Sequence, residues 1–406
     1  MRVVHVSTFD DIGGAGRAMS GLHRALMGEG IDSRVLVQEK RSADPTVVEA
    51  TARGILRRHA WRQIADTWPL MFYRKKTVMH WTCGRVGSRI VGRIAAFHAD
   101  IVHLHWIGRG FLSVNEIGAL RGPVVWTLHD SWAFTGGCHV PFACTRYRER
   151  CGACPQLGSR IERDISRATW ERKQRAWRDL KLTVVTPSRW LAACAGASSL
   201  FRDRRIVTIP NGVDHRVFYP EDRAAARIAL GLPLDRRIIL FGAMHADRDR
   251  NKGLHLLKAA LASRAWDADL VIFGASSPRA SADLGLRTHS RGIVSDFSEL
   301  RRLYNAADVL ALPSIQENYP NMILESMACG TPVVAFDAGG IPEMIEPGIT
   351  GFLARAHDPR ALAEAIAAAL ELGRAMRAAC RAAIERACTS EHMARAYREL
   401  YEEALI

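Results

Sequence analysis

Two carboxylates beside a helix start are the first residues in this chain placed to do chemistry. In Pro313–Val334 an apolar run ends, a polar loop carries Glu317, and a helix starting near Pro320-Asn321 carries Glu325, with seven residues between the two glutamates. Unpaired amides at a helix start can hold a phosphate, and paired carboxylates can accept hydrogen bonds from vicinal hydroxyls of a sugar or ribose. Lys252, after an apolar run and at the head of a helical pattern, provides the cation that a diphosphate leaving group needs. Gly13-Gly14-Ala15-Gly16 follows the first strand-like run as a tight loop, where missing side chains let backbone approach a ligand. It is not a dinucleotide fingerprint, because neither position 18 nor 19 is glycine. His129-Asp130 closes the run Val124–Leu128. Cys138, Cys144, Cys151 and Cys154 lie within 17 residues, the last two as Cys-x-x-Cys. That set can furnish a structural Zn²⁺ site, with His139 as a further donor, or stand as packed thiols or a disulfide pair.

The elements that must position these groups alternate. Val3–Ser7, Ser33–Val37, Ile101–Leu104, Val124–Leu128, Leu182–Thr186 and Ile206–Ile209 read as buried parallel strands with helical patterns between most of them. The pattern restarts with strands at Arg237–Phe241, Leu270–Phe273, Val309–Leu312 and Val333–Phe336, and helices at Leu254–Ser263, Glu299–Asn305 and Met322–Cys329. Three helical stretches, about Pro359–Leu372, Met376–Ala387 and Glu391–Glu403, close the chain. Alternation of this kind predicts an α/β fold of two doubly wound, Rossmann-like domains. The expected boundaries are 1–212, holding a Cys-rich insertion at 135–157, then 213–385, with 386–406 as a helix returning to the first domain. Open parallel sheets bind ligands beyond the carboxyl ends of their strands, which is where the candidate residues fall.

The 406 residues are 48% hydrophobic and 24% charged, which excludes a disordered or fibrous chain. No apolar run reaches the roughly 18 residues that span a bilayer, and the amino terminus has no secretory pattern. A cytoplasmic protein is expected, peripheral at most on the cytosolic face of a membrane. The formal charge of +14 sits in the first half, where residues 1–212 hold 33 Lys+Arg and 17 Asp+Glu. Residues 51–100 mix Arg57, Arg58, Arg62, Arg74, Lys75 and Lys76 with Trp61, Trp68 and Phe72. Such interleaving suits an anionic membrane surface or lipid diphosphate, and it also suits a sequence-neutral nucleic-acid binder.

The segment around the glutamates resembles the retaining glycosyltransferases of family 4, which have the GT-B fold of two facing Rossmann-like domains. Tyr319-Pro320-Asn321, the spacing of Glu317 and Glu325, and Ala328-Cys329-Gly330-Thr331-Pro332-Val333-Val334 carry the likeness. Ala338-Gly339-Gly340-Ile341-Pro342-Glu343 adds the family's Gly-Gly-x-Pro-Glu loop. The resemblance implies transfer of a hexosyl unit from a GDP- or UDP-linked sugar to a saccharide or lipid-linked acceptor in polysaccharide biosynthesis, with no catalytic metal. It makes nucleic acid an improbable partner, and leaves a sugar-nucleotide epimerase as the alternative enzyme. By the same resemblance Glu325 binds the donor ribose, Glu317 orients the transferred sugar, and the amides of Asn321, Met322 and Ile323 meet the distal phosphate. His129 lies near the scissile bond, and Gly13, Gly14 and Gly16 line the donor site. Lys252 serves the diphosphate. The family's arginine ahead of that lysine is Ala243 here; Arg248 or Arg250 can substitute from the loop, with Arg250 preferred. The cysteine loop is similar to that of members associated with surface polysaccharides.

Overall fold

A computed structural model of the chain describes residues 1–50, 56–73, 80–244, 246, 248–274 and 284–406, with only the backbone at 56–59. It divides into two compact units, Met1–Pro210 with Met393–Ile406, and Asn211–His392. Each is built on one parallel sheet.

The first sheet holds β1 (Arg2–Phe9), β2 (Asp32–Glu39), β3 (Val47–Glu49), β4 (Ile101–Leu104), β5 (Val124–Thr127), β6 (Leu182–Thr186) and β7 (Arg205–Thr208), in the order β3-β2-β1-β4-β5-β6-β7. Every pairing is parallel. Side chains alternate between two apolar layers, as the two-residue period of a strand requires. Val4, Val102, Val124 and Val184 pack on one face with Trp126, Trp132 and Trp177. Val3, Ile101, Val125 and Val185 pack on the other with Leu22, Leu26, Tyr397 and Tyr401. The last two come from the helix Ser390–Leu405, which is fixed to the strands by hydroxyls: Tyr397 to Thr127 Oγ1 and Tyr401 to His103 Nδ1, each at 2.7 Å.

The second sheet holds β8 (Arg237–Gly242), β9 (Ala268–Phe273), β10 (Thr288–Ser290), β11 (Val309–Leu312), β12 (Val333–Phe336) and β13 (Gly351–Ala354), in the order β10-β9-β8-β11-β12-β13. Its two faces are likewise apolar, Leu240, Leu310 and Val333 on one and Ile239, Val309 and Val334 on the other. In both sheets the chain order reverses beside the first strand, between β1 and β4 and between β8 and β11. Loops after those strands are therefore the natural ligand positions.

Three features differ from the sequence expectation. Gly13 to Gly16 form the first turn of the helix Gly13–Gly28 rather than a loop before it. The stretches expected as two helices are one, Pro359–Ala387. Gly373, between the two expected stretches, lies inside this helix, and a Cβ there would come within 3.1 Å of Pro332 Cγ and 3.2 Å of Asp308 O. Close packing, not termination, accounts for that glycine. Finally, the edge strands β3 and β10, three residues each, and the four-residue β13 were not expected. Such short runs leave little periodicity to read.

Candidate active site

In the second unit the loops after β8 and β11 are tied together. Asn251 is the clasp: its side-chain amide donates to Gln316 O at 2.9 Å, its Oδ1 accepts from Gln316 N at 3.1 Å, and its backbone carbonyl accepts from Ile315 N at 2.8 Å. Lys252, at the end of the 3-10 turn Arg250–Lys252, is thereby brought to Glu317, with Nζ 2.6 Å from Oε1. Burial works against the lysine charge, but the Glu317 carboxylate and Asp249 outweigh it, and its pKa is raised above the ordinary lysine value. The lysine stays a cation. Glu317 is backed by the Gly-Gly loop: Gly340 N donates to Glu317 O at 2.9 Å, and a Cβ on Gly339, whose φ is +66°, would lie 2.0 Å from that carbonyl oxygen.

The helix Asn321–Ala328 begins immediately beyond. Pro320 stands at its cap and gives its first turn no side-chain hydrogen bond. Asn211 Nδ2 donates to Asn321 Oδ1 at 3.1 Å, which orients the first residue. One turn further in, Glu325 is buried, and Tyr304 donates to its Oε2 at 2.7 Å. The arrangement is a helix start with a cation and two oriented carboxylates around it, able to hold phosphate and hydroxyl groups together. Ala243 is buried, while Arg250 is exposed on the adjoining turn.

In the first unit, His129 follows β5 and is half-buried, with Nε2 3.2 Å from His105 Nδ1. Burial lowers its pKa to about 4, against the opposing pull of Asp130, so the ring is neutral at ordinary pH. Asp130 accepts from Trp106 Nε1 at 2.9 Å, His139 Nδ1 at 2.7 Å and Trp132 N at 2.8 Å. Those three bonds fix the strand-end turn. His139 is thus a partner of Asp130. The helix opening at Gly13 lies beyond the end of β1.

Asn251, Tyr304 and His105 were missed by sequence reading. Tyr304 had a usable signal, since a tyrosine inside an otherwise apolar helix stripe brings a hydroxyl that needs a partner. The expected zinc ligands Cys138, Cys144, Cys151 and Cys154 are free thiols, three of them buried. Among the described residues, the set of His, Cys, Asp or Glu donors lying mutually within 4.8 Å is His5, His103 and His105, and no three of these cysteines form one. Cys138 and Cys154 pack with Leu70, Trp81 and Leu157, and burial pushes the Cys151 thiol up to about 12. Of the basic cluster, Arg62 turns inward to Ser88 Oγ at 2.8 Å rather than to solvent. The side chains of Arg57 and Arg58, and all of Arg74, Lys75 and Lys76, lie outside the described residues.

Residues 12–217 match the model of Glycosyltransferase Family 4, and residues 235–372 that of Glycosyl transferases group 1. The D-inositol 3-phosphate glycosyltransferase of Mycobacterium tuberculosis is 30% identical over 391 residues, covering 91% of this chain and 74% of its own length. Sucrose-phosphate synthase from Thermosynechococcus elongatus superposes with a TM-score of 0.70 at 21% identity, over 99% of this chain and 98% of that one. HepE from Anabaena, solved in complex with UDP-glucose, does so with a TM-score of 0.66 at 17% identity, over 99% and 100%.

The buried histidines make the first unit acid-sensitive. Burial is the chief cause that holds His5, His103 and His105 well below the ordinary value and His23 and His129 at about 4. The unfolded chain takes up protons near pH ~6.5 while the folded one does not, so stability falls as pH drops from there toward about 4. Each such histidine contributes a slope approaching about 1.4 kcal/mol per pH unit. Urea unfolding followed by tryptophan fluorescence should give a steep loss between about pH 6.5 and 5; a flat profile there would contradict the neutral cluster.

Proposed function

This chain belongs to glycosyltransferase family 4, and on that premise we propose that it is a retaining hexosyltransferase with a nucleoside-diphosphate sugar as donor. The acceptor is a hydroxyl of a saccharide or lipid-linked saccharide in polysaccharide biosynthesis. The observation that carries the reading is the Lys252–Glu317 contact at 2.6 Å beside the start of the helix Asn321–Ala328. A cation and helix amides suit the diphosphate; the carboxylates suit the hydroxyls. UDP and UDP-glucose in the solved HepE complexes support a nucleoside-diphosphate donor and make UDP-sugars the first to test. The name of the mycobacterial relative supports an anionic acceptor, in keeping with the basic first half.

The bond that breaks joins the anomeric carbon to the distal phosphate oxygen, and its electron pair leaves with the diphosphate. Lys252, Arg250 and the amides of Asn321, Met322 and Ile323 stabilise that charge as it develops. The acceptor hydroxyl bonds the anomeric carbon from the same face, and its proton passes to the departing phosphate oxygen. Glu317 orients hydroxyls of the moving sugar, and Glu325, aimed by Tyr304, holds the ribose. On the family resemblance, His129 is assigned to the transferred sugar and Gly13, Gly14 and Gly16 to backbone approach by the donor.

Lys252→Ala and Glu325→Ala should each lower donor hydrolysis and transfer by roughly 10²–10³-fold, with the product anomer matching the donor by proton NMR. Wild-type turnover in either variant refutes the assignment, and conversion of donor to an epimer without acceptor identifies the alternative enzyme.

The first unit also presents an apolar surface that fits an anionic membrane. On the helix Leu56–Thr67 and the turn Trp68–Phe72, the side chains of Trp61, Met71 and Phe72 are 69%, 76% and 73% exposed, with Ile64 and Trp68 beside them. Exposed aromatic side chains on a segment whose sequence is rich in arginine and lysine suit entry into anionic headgroups. Co-sedimentation with vesicles containing anionic lipid should be strong, and Trp61→Ala with Phe72→Ala should abolish it. Equal binding to neutral vesicles would remove the proposal.

A further inference from the structure

The segment that opens the second unit is bonded to both ends of the helix Asn321–Ala328. Asn211, the first residue of that unit, is buried, and its side-chain amide reaches two acceptors, Asn321 Oδ1 at 3.1 Å and Tyr319 O at 3.4 Å. A backbone carbonyl only accepts, so Asn211 is the donor, and the two hydrogens of its amide serve both contacts. At the other end Arg381 Nη1 donates to three carbonyls: Ala328 O at 3.0 Å, the last residue of the helix, Phe218 O at 2.9 Å and His215 O at 3.2 Å. A guanidinium there also meets the negative end of the helix dipole. Residues 211–218 thus hold the helix at both termini.

That segment is itself fixed within the unit. Val213 N donates to Cys388 O at 2.9 Å, Ser390 N donates to Val213 O at 3.0 Å, and a Cβ on Gly212 would lie 2.4 Å from Thr389 O. Glycine is required at 212 because the atom it approaches is backbone. Phe218, at the far end, is buried against Phe297 and Tyr304. A helix start framed in this way is held to the precision that a phosphate contact needs.

We propose that Asn211 is a positioning residue for the donor diphosphate, acting through Asn321 to turn the first residue of the helix so that its first-turn amides meet the distal phosphate. Pro320, at the cap, gives that turn no side-chain hydrogen bond. The orientation that a capping side chain supplies in other helices is supplied here by Asn211, from a segment about a hundred residues earlier in the chain. Two substitutions separate the donor from its bulk. Alanine takes this donor away from Tyr319 O and Asn321 Oδ1, while aspartate, nearly the same in shape, sets a carboxylate against both oxygens. Aspartate is the more damaging of the two.

The phosphate contact rests on the proposed transferase reading; the hold of Asn211 on Asn321 does not, and the two can fail separately. Urea unfolding of the ligand-free protein reads the hold. Asn211→Ala and Asn321→Ala should be non-additive, the double variant losing no more stability than the worse single one, and additive losses overturn the proposal. Calorimetric titration with UMP and UDP, or with GMP and GDP where the guanosine pair binds, reads the phosphate. Asn211→Ala should lower diphosphate affinity by roughly 3–10-fold and Asn211→Asp by more, with monophosphate affinity unchanged in both. Equal losses for monophosphate and diphosphate, as a merely structural role would give, overturn the proposal, and so does an undiminished diphosphate affinity. A wild-type protein that binds no nucleoside diphosphate, with the coupling to Asn321 intact, overturns the diphosphate role together with the transferase reading and leaves the contact standing.

Discussion

A parallel strand covered on both faces gives a polar side chain nowhere to meet water except at its ends. Both sheets obey that constraint: β4, β5, β8 and β9 are buried along nearly their whole length. Chemistry is therefore displaced to the loops after the strands, and the order of connection decides which loops are neighbours. The loops after β8 and β11 adjoin at the reversal of the second sheet, which is why Lys252 and Glu317 can pair although 65 residues separate them. His5 and His103 break the constraint by lying inside strands, and they persist because imidazoles and hydroxyls satisfy nearly all of their nitrogens.

The same constraint explains what sequence could reveal. Buried parallel strands are short apolar runs, and the central ones and the edge strand β7 were legible; the short edge strands β3, β10 and β13 were not. Glu317, Glu325 and the Gly-Gly loop fall in contiguous segments whose types and spacing speak for themselves. Asn251, Tyr304 and His105 act through partners distant in the chain, and only folding reveals that Asn251 clasps the loop before Glu317 or that Tyr304 aims Glu325. Gly13 misled for a related reason, because glycine marks a turn and a close approach alike. The cysteines show the limit of spacing as a guide: Cys-x-x-Cys is compatible with a metal knuckle, yet Cys138 and Cys154 are packed among Leu70, Trp81 and Leu157, and no three of the four thiols lie mutually within 4.8 Å.

Charge divides along the same lines. The second unit concentrates its functional charge in a small set, one lysine held against one glutamate at a helix start. The excess positive charge lies in the first half of the chain, next to an exposed aromatic turn. One arginine expected to serve that surface, Arg62, instead braces the fold through Ser88. Net charge thus bears on the partner, while the site depends on where individual charges are held.

The central claim is that Lys252, delivered by the Asn251 clasp, is the diphosphate contact. Calorimetric titration of nucleoside monophosphates and diphosphates into wild-type and Lys252→Ala protein tests it most directly. For the cognate base, the diphosphate should bind wild-type protein at least about tenfold more tightly than the monophosphate, the size of one charge-assisted contact. That preference should vanish in the variant with monophosphate affinity unchanged. An undiminished diphosphate preference in Lys252→Ala would contradict the account.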